Sequence, residues 1–298
     1  MYAATEKTSG IGITVTNTKV NSSPLSWLAP KTEAEKKIIS DNMKERQQRI
    51  GMDNFPIYLF NLMIDEMCRN GRWRDVMYLV CQANWGLRCG DTMNIKVQDL
   101  FYLDCTFRDR FYLIEEKTKD TRKNKTTRLC VNNEAVKMAV TLYLANNKDR
   151  RMYDYLFVSE SNHKEYVNIN GLYIQKPLTH TTLENIIKDT IESFGIRLVN
   201  GTAGNKAEEG LKLNTHSLRK TFGEIFKETS NQMLKEGEIV AEDRAFEMAQ
   251  LAFGHSSAKI TQRYVGAVDE IIYEVVNRMN IGKEILEKYY RKAVENNE

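Results

Sequence analysis

Two short polar motifs in the second half of the chain, Thr215-His216-Ser217-Leu218-Arg219 and Gly254-His255-Ser256-Ser257, precede Tyr264, which stands nine residues past His255. Far upstream lies Gly86-Leu87-Arg88. Together these residue types suit transfer at a phosphodiester. Breaking that bond without a metal takes a nucleophile, cations that neutralise charge growing on the non-bridging oxygens, and an acid that protonates the departing sugar oxygen. Arginine stays charged and offers a planar fork of donors matched to two phosphate oxygens. A tyrosine phenolate leaves more readily than a sugar alkoxide, so a tyrosyl ester can form and be reversed, keeping the bond energy for rejoining.

Each group needs an element to aim it. His216 and Arg219 lie three apart behind Thr215, a predicted N-cap, so both project from the first turn of one helix, whose N-terminus itself attracts phosphate. Taken alone, a His-x-x-Arg pair occurs in many proteins with no such role. Gly254 is expected to end a helix over Asp243 to Phe253, with Ser256 or Ser257 capping the next, which carries Tyr264. His255 then sits in the turn between them. A buried turn histidine and a tyrosine that packs through its ring are the structural alternatives. Arg88 has Asp91 three residues on, able to orient the guanidinium; a plain helix ion pair is the alternative. Lys117 opens a basic run through Lys119, Arg122, Lys123 and Lys125, which reads as a hairpin that is either simply solvated or laid against a DNA backbone.

The chain of 298 residues is long enough to bury a sizeable core, and a formal charge of +3 is too small by itself to indicate nucleic acid. Five cysteines, an odd number with no CxxC, read as reduced thiols of a cytoplasmic protein and not as a disulfide framework or zinc site. No signal pattern or membrane-length apolar run is present. Residues 1–24 are expected to form a flexible arm and residues 25–54 a short helical segment, with Thr32-x-x-Glu35 as its capping box. From residue 55 to 298 the pattern is that of one α+β, mostly α-helical domain with a helical tail. Helices are predicted from Pro56 through Met67, over Arg74–Asn84 and Asn133–Asn146, and after Thr181-x-x-Glu184 to near Gly195. Runs from Phe101 to Phe107, Phe111 to Glu115 and Thr126 to Val131 predict a small antiparallel three-stranded sheet.

The order Arg88, Lys117 on a hairpin, His216-x-x-Arg219, Gly254-His255 and Tyr264 resembles the tyrosine recombinase, or phage integrase, family from about Phe55 onward. What the resemblance implies is a site-specific DNA recombinase. Tyr264 would attack the scissile phosphate to give a 3′-phosphotyrosyl link, Arg88 and Arg219 would clamp the phosphate, and His255 would add a hydrogen bond. Lys117 would protonate the 5′ oxygen, with Lys119 as its competitor, and His216 would assist proton transfer or hold the phosphate. No metal or cofactor is implied. The partners implied are double-stranded DNA and further copies of the chain, as a homotetramer assembled on DNA.

Members commonly carry a separate helical DNA-clamping domain ahead of the catalytic one, and the stretch before Phe55 is expected to be too short to form all of it. An accessory DNA-bending or clamping protein is the expected substitute. The apolar series Ile271, Ile272, Val275, Val276, Met279, Ile281, Ile285 and Leu286 either packs on its own domain or docks on a neighbour. A type IB topoisomerase is the enzymatic rival, though such enzymes typically carry lysine at the position of His216. A DNA-binding regulator without catalysis is the rival of another class. His163, His180, Tyr289 and Tyr290 lie outside the pattern, the last two as weak alternative nucleophiles, and Tyr153, Tyr155 and Phe157 are expected in the core.

Overall fold

The computed structural model describes residues 53–116, 127–159, 166–196, 198, 212–238 and 265–295, all within one compact unit spanning Gly51–Glu298. The chain before residue 53, the basic run 117–126, and the segment 239–264 with its expected helices lie outside the described residues. The described part is mostly helical. Its elements are α1 (Ile57–Arg69), α2 (Trp73–Trp85), the short α3 (Cys89–Met93) and α4 (Val97–Leu100), β1 (Arg110–Leu113), β2 (Arg128–Val131), α5 (Glu134–Ala145), β3 (Tyr166–Ile169), β4 (Leu172–Gln175), α6 (His180–Ser193), α7 (Thr215–Lys235), α8 (Val265–Met279) and α9 (Lys283–Glu295).

Helix α2 is the axis of the core. Every residue from Asp75 to Trp85 is buried, which a helix reaches only when neighbours cover it on all sides. Met63, Ile64 and Met67 of α1, Ala135, Val136 and Ala139 of α5, and Leu218 of α7 share its apolar cluster. Each fully buried large apolar side chain contributes about 1.5–3 kcal/mol relative to exposure. Trp85 meets Phe111 of β1 edge to face, with ring centroids 5.4 Å apart. The start of the unit is stitched to α7 by Thr221, whose hydroxyl accepts from Phe55 N–H at 2.6 Å.

The tail packs in cis. Ile272, Val275 and Val276 join Leu129, Val131, Phe222, Phe226 and Met233 in a second apolar cluster, while Ile281 and Leu286 enter the main core. A buried amide node secures it. Asn84 of α2 donates to Ile281 C=O and accepts from Ile281 N–H, both at 2.9 Å. Asn133, the N-cap of α5, donates to Asn84 Oδ1 and to Val276 C=O, also at 2.9 Å. The face of β1 adds a polar seam, as Arg110 grips Glu270 and Tyr112 Oη donates to Asp269 at the start of α8.

The expected three-stranded sheet is corrected to two two-stranded antiparallel sheets, β1 with β2 and β3 with β4. The run from Phe101 to Phe107 makes no strand because it closes on itself. Asp104 Oδ1 accepts from Thr106 N–H, Cys105 takes a positive φ of 65°, and only the bridge Phe101–Phe107 survives, with the two ring centroids 4.3 Å apart and their planes tilted by 38°. Strand β1 stops at Leu113, short of Glu115, and β2 starts at Arg128. The second hairpin went unforeseen although its signal is plain: Asn170-Gly171, both at positive φ (52° and 85°), separates two short runs as a two-residue turn requires. Two caps also shift. Helix α6 is capped by Thr179, which accepts from Thr182 N–H, and not by Thr181; α7 is capped by Asn214, leaving Thr215 as its first residue.

All five cysteines are free thiols, four buried and Cys105 exposed. Among the described residues no helix is long and apolar enough to cross a membrane. Phe157 is fully buried, whereas Tyr153 and Tyr155 are only half-buried, their rings approached by Arg151 and Lys96.

The amide node generates a direct expectation for stability. Asn84→Ala removes one of the two acceptors of the Asn133 amide and strands both backbone groups of Ile281 in a dry interior, at about 1–3 kcal/mol for each orphaned group. Urea denaturation should place the variant at least about 2 kcal/mol below wild type; an unchanged midpoint would show that the tail does not depend on this node.

Candidate active site

Helix α2 ends because Gly86 adopts the left-handed conformation, φ 58° and ψ 25°, closing the helix through its N–H to Gln82 C=O at 2.9 Å. A β-carbon there would overlap the Phe222 ring of α7, so glycine is required both by the backbone and by the close approach. The chain then extends through Leu87, which is buried, to Arg88, the N-cap residue of α3. Gln82 Nε2 donates to Thr215 C=O at 3.1 Å and ties this corner to the start of α7.

On α7, Asn214 Oδ1 accepts from the N–H groups of His216 and Ser217 at 2.8 and 3.3 Å, which orders the first turn. Three and four positions apart share a face on a helix, so Thr215, Leu218 and Arg219 turn inward. His216 projects outward and is exposed. His180, the first residue of α6, reaches the same turn with Nε2 3.0 Å from Thr215 Oγ1.

The two arginines singled out in the sequence, from α7 and from the corner after α2, converge on a residue the sequence reading did not single out. Glu115, two residues past the end of β1, accepts from Arg88 Nη1 through Oε2 at 2.6 Å and from Arg219 Nη1 through Oε1 at 3.1 Å. Oε1 also accepts from Arg128 Nη1 of β2 at 3.1 Å. Arg128 Nη2 donates to the carbonyls of Trp85 and Gly86 at 2.8 and 2.9 Å, and Arg219 Nη1 shares that Gly86 carbonyl at 2.8 Å. Arg128 and Arg219 therefore rest on the same two acceptors.

Exposure separates their tasks. The side chains of Glu115, Arg128 and Arg219 are 3%, 2% and 6% exposed, whereas that of Arg88 is 30% exposed and faces outward from the cluster. The expected pair of Arg88 with Asp91 is present as a long ion pair at 3.9 Å, but Glu115 is the closer partner at 2.6 Å, and Asp91 also accepts from Glu116 N–H at 2.9 Å. Asp91 thus pins the chain just past Glu115.

The electrostatics follow from burial. Burial acts to raise the Glu115 pKa, but the charges of Arg128, Arg219 and Arg88 outweigh it and hold the carboxyl below its ordinary value. Burial, then repulsion from Arg128, pushes Arg219 down to about 10, still charged at neutral pH. Burial raises Asp91. Desolvation, followed by the positive charges of Arg219, Lys220 and Arg88, lowers the pKa of His216, so its imidazole is mainly neutral at pH 7. With all groups ionised, three guanidiniums against the carboxylates of Glu115 and Asp91 leave a net positive charge, an environment suited to an anion.

Lys117, Lys119, Arg122, Lys123, Lys125, His255 and Tyr264, with His163, lie outside the described residues. Of the other tyrosines considered, Tyr289 donates its hydroxyl to Asp65 Oδ1 at 2.7 Å, and burial together with that carboxylate pushes its pKa up to about 12, which makes it a poor nucleophile. Among the described residues no cluster of His, Cys, Asp or Glu is arranged to hold a metal ion. Glu115 and Arg128 were legible only indirectly, as charges adjoining the apolar runs Phe111–Ile114 and Leu129–Val131, where burial demands an opposite partner.

The sequence pattern of the phage integrase family matches residues 60–270. No curated protein sequence matches at a significant level. Among solved structures, XerH site-specific recombinase bound to difH substrate in a pre-cleavage complex aligns with a TM-score of 0.37 and 17% identity, over 75% of this chain and 49% of that one. The same recombinase bound to palindromic difH substrate in a post-cleavage complex aligns with a TM-score of 0.40 and 15% identity, over 81% of this chain and 52% of that one. The chain therefore spans about half the length of those structures.

Because the Gly86 carbonyl carries both Arg128 and Arg219, Gly86→Ala should do more than strain a turn. Left-handed strain of about 1–2 kcal/mol and overpacking against Phe222 of about 1–3 kcal/mol combine. A loss of roughly 2–4 kcal/mol in thermal or urea unfolding is expected; a variant as stable as wild type would contradict the tight approach of α2 and α7.

Proposed function

This chain is a member of the phage integrase family, and we propose that it is a site-specific DNA recombinase that cuts and rejoins duplex DNA through a tyrosine. The observation that carries the reading is the meeting of Arg88 and Arg219, distant in sequence, on one buried carboxylate, with the neutral His216 on the same first turn as Arg219.

In this reading Tyr264 Oη attacks the scissile phosphorus, and the bond to the 5′ oxygen breaks as the phosphotyrosyl bond forms. Arg88 and Arg219 offset the negative charge that grows on the non-bridging oxygens, where preorganised donors stabilise the transition state most. His216 accepts the phenolic proton, His255 donates to the phosphate, and Lys117 protonates the departing 5′ oxygen. Attack of a 5′ hydroxyl on the phosphotyrosine reverses the step, so no external energy source is consumed. Lys119, Arg122, Lys123 and Lys125 contact the DNA backbone and position the duplex without reading it. The partners proposed are double-stranded DNA, further copies of this chain in a tetramer assembled on it, and an accessory clamping or bending protein, all in the cytoplasm. A mobile element is the proposed setting.

The test is covalent capture. Wild type and Tyr264→Phe are incubated with fragmented DNA of the source organism, denatured, and the DNA attached to protein is sequenced. Attachment by wild type alone at a shared sequence is expected, with Arg88→Ala and Arg219→Ala each slowing it by about a hundred- to a thousandfold. Equal attachment by Tyr264→Phe would overturn the nucleophile, and attachment at scattered sequences would favour a topoisomerase.

His216 gives the reaction a pH dependence with a definite sign. Its pKa is lowered, and only the neutral ring accepts a proton, so the cleavage rate should hold down to below about pH 6.5 and fall only as the pH drops through the lowered value. Measured at limiting DNA, which reports the free protein, this acid limb should vanish in His216→Gln. A wild-type limb lying above 6.5 would refute the assignment.

A further inference from the structure

We infer that Glu115 is the positioning residue of the arginine clamp, a carboxylate that sets the spacing of Arg88 and Arg219 and anchors the chain leading into Lys117. The inference deepens the recombinase reading and rests on it for the reaction it concerns.

The two oxygens of one carboxylate divide the work. Oε2 takes Arg88 in a short, charge-assisted bond of 2.6 Å, and Oε1 takes Arg219 and Arg128 at 3.1 Å each. A carboxylate is a rigid plane, so the Nη1 atoms of Arg88 and Arg219 are placed relative to each other by a fixed template. Arg128 backs that template from inside. It is fully buried and braces both Glu115 and the carbonyls of Trp85 and Gly86, so the framework that holds Glu115 is the one that shapes the corner before Arg88.

A purely structural ion pair does not account for the arrangement. Arg128 and Arg219 alone would neutralise a buried carboxylate, yet the shortest bond goes to Arg88, the most exposed of the three. A long side chain at the edge of a site has rotamer freedom to lose, and the Glu115 contact removes it before any phosphate arrives. The position of Glu115 in the chain adds a second coupling. It lies two residues before Lys117, and Asp91 fixes the Glu116 N–H, so the clamp and the entry to the basic run share one support.

The reaction arm uses a duplex bearing the sequence recovered by covalent capture, with phosphotyrosine formation followed in single-turnover conditions. Glu115→Gln is expected to lower the rate constant by on the order of a hundredfold, with DNA affinity within about threefold of wild type because the arginines stay charged. Glu115→Asp keeps the carboxylate and should recover about tenfold of that loss. The rate constant separates the roles: a variant that is merely part unfolded loses amplitude and keeps its rate constant, and that result in both variants would overturn the inference. The second arm requires no cleavage. Guanidinium ¹⁵N NMR, with the Arg88 signal assigned by Arg88→Lys, should show hindered rotation about its Nε–Cζ bond in wild type and freer rotation in folded Glu115→Gln and, to a smaller extent, Glu115→Asp. Hindered rotation unchanged in both would also overturn it. A wild-type protein that forms no covalent complex would count against the recombinase reading instead, and the NMR arm would still decide the role of Glu115.

Discussion

One buried carboxylate among three guanidiniums is the interaction on which the rest of the site depends. Glu115 is taken out of water at a cost that only close, well-hydrogen-bonded cations can offset, and Arg88, Arg128 and Arg219 supply them from three separate stretches of chain. The dependence runs both ways. Without the carboxylate the three cations would repel one another in a medium of low dielectric constant, and Arg128, fully buried, would lose Glu115 as its ionic partner. Such a cluster specifies geometry more than it adds stability, because an apolar replacement of similar volume often serves stability equally well. Geometry is what the proposed phosphate clamp needs.

The surrounding fold is built to hold that cluster still. Helix α2 ends at Gly86 in a left-handed turn so tight that Phe222 fills the space a β-carbon would take, and the carbonyl this turn leaves outside the helical ladder becomes the shared, buried acceptor of Arg128 and Arg219. Behind it, the Asn84 and Asn133 amides lock the chain between α8 and α9 onto α2 and α5, and Leu129 and Val131 of β2 pack with Val275 and Val276 of α8. The strand that carries Arg128 and the helix that begins directly after Tyr264 are therefore parts of one packed body. Burial of a continuous interior makes such parts move little relative to one another.

The places where the sequence reading and the structure part company have local physical causes. Asp91 pairs with Arg88 across one short turn only at 3.9 Å, because its other oxygen is held by the Glu116 N–H and Glu115 comes closer. The Phe101 to Phe107 run has strand composition, and the Asp104 turn overrides it. The Asn170-Gly171 hairpin follows a two-residue turn rule, with both residues at positive φ between two short runs. Thr179 and Asn214 displaced the expected caps by one or two positions, a shift within which neighbouring Thr and Asn side chains compete for the same N–H groups.

By itself the sequence determined the chemical inventory and the local frames: the helical periods, the caps to within a turn, the free cysteines, and the order of Arg88, His216 and Arg219 that points to phosphate chemistry. These are short-range properties, set by side-chain type and spacing along a few turns of chain. Tertiary structure alone decided that Glu115 and Arg128 belong with them, that Glu115 approaches Arg88 more closely than Asp91 does, and that the C-terminal series folds back on its own domain. Those outcomes depend on which distant segments share a desolvated space, since an ionised group gains a partner's full attraction only once both leave water together, and no spacing along the chain records that meeting.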